Sequence, residues 1–139
     1  MNALVEATLS DSGPAAAILA AWESRKIVLV TCEAIVLEYQ NVLSRQHIRR
    51  RYPHVSSETT PQYVDAIRRF GHFVTPRSIP PIVSGDSDDD VILACALEGS
   101  ADYVVTRDRH LLRLTEYSGV PILPPHAFLP VLRRWAELL

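Results

Sequence analysis

The sequence predicts an α/β fold: a three-layer α/β/α sandwich with helices on both faces of a central, mostly parallel sheet. Three observations lead there. Short apolar runs rich in β-branched residues, KIVLVT (26–31), DYVVTRD (102–108) and VPIL (120–123), alternate with stretches of helical periodicity. Such alternation builds βαβ units, and no repeat, linker or low-complexity segment interrupts it. The 139 residues are 47 % hydrophobic and 22 % charged with a net charge of −2, which fits one domain over 1–139 with a real core.

Each element has its own signal. Residues 14–25 (PAAAILAAWESR) place a proline in the first turn ahead of strong helix formers. KIVLVT reads as a buried strand. CEAIVLEYQNVLSR (32–45) has apolar residues at 35, 36, 39, 42 and 43, which is helical spacing. The polar RQHIRRRYPH precedes a helix around TPQYVDAIRRFG, and HFVTP (72–76) is a short strand candidate ended by proline. SIPPIVSGDSDDD (78–90) reads as loop. DDDVILACALEGSA (88–101) has carboxylates in its first turn and Gly99 near its end, the start and stop signals of a helix. DYVVTRD is then a strand, HLLRLTEY (110–117) a helix, VPIL a strand, and AFLPVLRRWAELL the closing helix.

Several classes are excluded. The apolar runs are too short to span a membrane, and the first residues show no basic leader, so a soluble, cytoplasmic protein is expected. Cys32 and Cys95 sit in apolar segments without metal-ligand spacing and read as buried thiols. No phosphate-binding glycine pattern or Ser-His-Asp arrangement occurs. Trp22, Trp135 and Tyr39 fall on apolar helical faces and read as packing residues, while His110 and His126 read as structural or exposed. Of 14 basic residues only Lys26 is lysine. Arginine suits phosphate, although GC-rich coding composition produces the same bias.

In parallel sheets ligands bind beyond the carboxyl ends of the strands. Asp108 follows VVT directly, the acidic turn DSDDD (86–90) opens the neighbouring helix, and Glu38 lies on the helix after KIVLVT. Four carboxylates in five positions repel one another. The turn is a solvated helix cap, the partner of an arginine, or part of a site for a hard divalent cation, which takes oxygen ligands from several segments. Acidic residues on three segments that can meet at one sheet edge favour the cation.

The segment DSDDDVILACALEGSADYVVTRDRHLL resembles the PIN-domain nucleases, especially the VapC-like subgroup of toxin components in toxin–antitoxin pairs. VLVTCEAIVLEYQNVLSR is similar to that family's second motif, and VPILPPHAFL to the subgroup's last strand and turn. The resemblance implies a ribonuclease using Mg²⁺ or Mn²⁺, with Glu38, Asp89 and Asp108 as metal ligands, Asp90 or Asp86 sharing the metal, and Thr106 ordering the site. Asn2 matches an Asn that follows a first strand and first aspartate in the family, and neither precedes Asn2 here. A first strand missing from mid-sheet would leave a buried gap between its neighbours, and a chain without its aspartate is expected to be weakly active or inactive.

Charge is unevenly spread. Residues 45–77 hold seven arginines against Glu58 and Asp65, a local charge of +5. Arg45, Arg49, Arg50 and Arg51 are candidate RNA-phosphate contacts, or else a solvated helical face. The resemblance also implies an antitoxin protein partner and a homodimer. The competing reading is a non-catalytic interaction module that binds an antitoxin or its own copy.

Overall fold

Residues 12–77 and 87–138 are described by a computed structural model. The first residues, with Asn2, and residues 78–86 of the predicted loop, with Asp86, lie outside the described residues, while Ser87–Asp90, read as the end of that loop, form the first turn of α5. In chain order the elements are α1 (Pro14–Glu23), β1 (Val30–Thr31), α2 (Glu33–Leu43), α3 (Gln46–Arg51), α4 (Thr59–Phe70) and β2 (His72–Phe73). They continue with α5 (Ser87–Glu98), β3 (Val104–Val105), α6 (Arg109–Leu112), β4 (Glu116–Tyr117), β5 (Val120–Leu123) and α7 (Pro125–Leu138). No helix among the described residues is long and apolar enough to cross a membrane.

The chain is α/β, but one continuous central sheet is not what the described strands form. β1 pairs in parallel with β2, Val30 opposite His72. In a separate sheet β5 lies between β3 and β4, parallel to β3 and antiparallel to β4. A cavity of about 560 Å³ separates the two sheets. The predicted strands therefore pair over much shorter lengths than their apolar runs. Of KIVLVT only Val30 and Thr31 enter a ladder, and of DYVVTRD only Val104 and Val105.

Two other expectations are corrected. The predicted helix 110–117 ends after Leu112, and Glu116–Tyr117 turn back as β4 against β5. The turn is Ser118–Gly119, with φ of 49° and 82°. Positive φ at both central residues is the hairpin geometry that matches strand twist, and it favours glycine. The apolar spacing of HLLRL looked helical and masked that turn. The polar QHIRRR forms α3, which buries Ile48 and places three arginines at the helix's negative end.

The core is divided like the sheets. One cluster, centred on Val36, Tyr39, Leu43 and Ile67, joins α2, α3 and α4. The other packs Leu93 and Ala96 of α5 against Val104, Leu111 and Ile122. Leu43 is fully buried in the first cluster, so Leu43→Ala is expected to cost about 2–5 kcal/mol in urea unfolding.

α5 spans both halves. Cys32, just before α2, and Cys95 of α5 are neighbours, each 2 % exposed. Burial, reinforced by the neighbouring Cys32, pushes the Cys95 pKa from 9.0 up to about 12. The neutral thiol is thus favoured by folding, and its contribution is complete below about pH 9 and lost as pH rises through about 12. Cys95 is expected to resist a disulfide reagent at pH 8 until the chain is unfolded. Prompt labelling of Cys95 in native buffer would contradict this.

Candidate functional site

The acidic residues are positioned through α5. Its last turn lies against β1, where a Cβ at Gly99 would overlap the side chain of Val30. Only glycine permits that approach. One turn earlier Cys95 meets Cys32. The helix therefore runs opposite to β1, and its first turn, with Asp89 and Asp90, reaches past the strand's carboxyl end. Asp89 is 5 % exposed. A carboxylate there lies at the positive end of the helix, and both Asp89 and Asp90 have interaction partners.

Asp108 follows β3 and caps α6. Its Oδ1 accepts hydrogen bonds from the His110 N–H at 2.8 Å and the Leu111 N–H at 3.2 Å. The Asp108 N–H donates to Thr106 Oγ1 at 3.0 Å, and Thr106 is itself buried. Thr106 thus holds the backbone that leads into Asp108. Glu38 lies on α2 with its side chain exposed, between the buried Val36 and Tyr39.

Among the described residues, no three His, Cys, Asp or Glu side chains stand together in a way that can hold a metal ion. Glu38, Asp89 and Asp108 do not form such a group. Asp108 has one oxygen engaged by the α6 cap, and Glu38 faces water. A hard cation takes several oxygen ligands, so these three residues do not by themselves fit a closed metal site. Asp86 and the Asp88 side chain lie outside what is described.

The arginine-rich middle separates into two sets. Arg68 makes a two-pronged ion pair with Glu33, both bonds 2.7 Å. That pairing holds Glu33 below the usual carboxylate range. Arg69 pairs with Asp65 at 3.1 Å and Arg77 with Glu98 at 3.7 Å. These three are structural partners as well as surface charge, and only the Asp65–Arg69 spacing of four made one of the pairs legible in the sequence. Arg45, Arg49, Arg50 and Arg51 have no carboxylate partner among the described residues. Arg45, Arg50 and Arg51 are exposed, and Arg51 lies over the Tyr52 ring at 5.7 Å.

A PIN-domain family model matches residues 1–110. The chain belongs to the PIN-domain family. Members of this family are generally nucleases that use divalent metal ions, and RNA is the substrate the family suggests. The match covers α1 to β3, including Glu38, Asp89 and Asp108. No curated protein and no solved structure matches the chain.

The Asp108 cap separates structure from chemistry. Asn retains the acceptor oxygen, whereas Ala removes it, so Asp108→Ala is expected to cost about 1 kcal/mol in urea unfolding and Asp108→Asn much less.

Proposed function

We propose that this PIN-domain chain is an endoribonuclease acting with Mg²⁺ or Mn²⁺, and the toxin component of a toxin–antitoxin pair. The observation that carries the reading is the placement of Asp89 beyond the carboxyl end of β1 and of Asp108 beyond that of β3. That is where α/β sheets bind ligands. Glu38, Asp89 and Asp108 would hold a divalent cation, which would supply a water of lowered pKa and offset charge on the phosphate. The chain's own part is to present the carboxylates: Asp89 from the first turn of α5, Asp108 from a loop ordered by Thr106, and Glu38 from α2. Because these do not form a three-ligand group, metal binding is weak and cleavage slow or absent. Arg45, Arg49, Arg50 and Arg51 provide phosphate contacts on α3 and the residue before it.

The lack of a three-ligand group among the described residues motivates the second reading, a non-catalytic module that binds an antitoxin or a second copy of the chain. Metal linkage decides between them. A ligand that binds only the folded form raises its stability, so millimolar Mn²⁺ is expected to raise Tm, with Asp108→Asn reducing the rise. RNA affinity is expected to fall, with a shallower salt dependence, when Arg49, Arg50 and Arg51 are all changed to Ala. No Tm shift at millimolar metal decides for the interaction module, and brisk RNA cleavage that survives Asp108→Asn refutes the assigned site.

A further inference from the structure

Residues 39–57 hold four arginines and no carboxylate. They take in the second half of α2, all of α3 and most of the chain that leads to α4. Successive side chains on a helix point about 100° apart, so Arg49, Arg50 and Arg51 fan out and meet different surroundings. Arg49 is half-buried next to the buried Ile48, and Arg50 is exposed. Arg51 is also exposed, but its guanidinium carbon lies over the Tyr52 ring, 5.7 Å from the centroid.

Tyr52 is a fixed support. It packs against the first core cluster, and its ring meets the His54 ring edge-on at 6.2 Å and 84°. Its N–H donates to the Ile48 carbonyl and its carbonyl accepts from the Val55 N–H, both at 2.9 Å. The His54 carbonyl is held in turn by the Thr59 hydroxyl at 2.7 Å. A guanidinium resting on such a ring has already lost water on that side and much of its rotational freedom. Covering its other, exposed side with a second flat group therefore costs little further ordering.

We propose that Arg51, backed by Tyr52, is a stacking site for one unpaired base of bound RNA, with Arg45 and Arg50 on the flanking phosphates. Two properties of this surface select the ligand. Cations without a local carboxylate attract an anion, and an acidic peptide answers that as well as RNA does. A flat guanidinium over a ring favours a second π face, which a peptide backbone lacks and every base has. Bases in a duplex are already stacked on their neighbours, so an unpaired nucleotide is the one that offers a free face. The site rests on the RNA reading of α3 and is independent of the metal site, since it involves neither Asp89 nor Asp108. Arg51 thus adds a base contact to the charge it shares with its neighbours.

The probe is a short, labelled single-stranded oligoadenylate, followed by fluorescence anisotropy with divalent cations chelated so that no cleavage occurs. Arg51→Lys keeps the charge and removes the plane. It is expected to weaken the oligoadenylate about tenfold with an unchanged salt slope. Binding of the same ribose-phosphate chain without bases is expected to stay as it was. Tyr52→Leu keeps an apolar side chain against the core and is expected to weaken the oligoadenylate by a similar factor. The double variant is expected to lose no more than either change alone, because ring and guanidinium act as one unit. An undiminished affinity in Arg51→Lys, or an equal loss on the chain without bases, overturns the stacking site. The RNA reading itself then stands if changing Arg49, Arg50 and Arg51 together to Ala still weakens binding, and falls with it if that variant binds normally. Equal affinity for oligoadenylate annealed to oligouridylate overturns the site in favour of backbone contacts alone. Equal affinity for adenosine monophosphate overturns it in favour of a free-nucleotide site, and tighter binding of polyglutamate in favour of an acidic peptide.

Discussion

The fit of α5 against both sheets is the constraint on which the rest of the structure depends. Its last turn lies so close to β1 that Gly99 has no room for a side chain beside Val30. One turn before Gly99, Cys95 meets Cys32, and a neighbouring face places Leu93 and Ala96 against Val104 of β3. The two sheets share no ladder among the described residues. A helix that is apolar on several faces can serve both halves where a strictly amphipathic one serves only one. The cost of such burial is specificity at a few positions, and the glycine and the two small thiols meet it.

The same helix carries the candidate chemistry. Running opposite to β1, it takes an acidic first turn past the strand's carboxyl end and leaves its apolar last turn in the core. Asp89 is buried there as a consequence of packing. Asp108 reaches its place by a different route, through the α6 cap and the buried Thr106 hydroxyl. Two carboxylates are therefore set by rigid neighbours, whereas Glu38 stands on an exposed helical face with no such support. The chain belongs to the PIN-domain family, and among the described residues these carboxylates do not assemble into one three-ligand group.

Much of this was legible in the chain. Proline and alanine in α1, the apolar spacing of α2, and the carboxylates and Gly99 bounding α5 all marked helices that form. Tyr39 packs as its helical position indicated, and Asp108 lies just past a strand as VVT indicated. The failures have specific causes. HLLRLTEY carries a helical apolar spacing, but Ser118–Gly119 with positive φ imposes a hairpin that reclaims Glu116 and Tyr117. Arginines 68, 69 and 77 read as one basic belt with their neighbours, yet carboxylates from α2, α4 and α5 pair with them. Apart from Asp65–Arg69, those partners are far away in sequence and no local spacing reveals them.

By itself the sequence determined the α/β class, most of the helices, the acidic positions and their order, because these follow from side-chain periodicity, helix-end chemistry and motif spacing within short windows. Tertiary structure alone decided how far each apolar run pairs, which arginines are engaged, and whether the carboxylates meet. A strand exists only where another backbone edge lies beside it. Val30 and Val105 each have such an edge on one side, and what faces them on the other is a cavity.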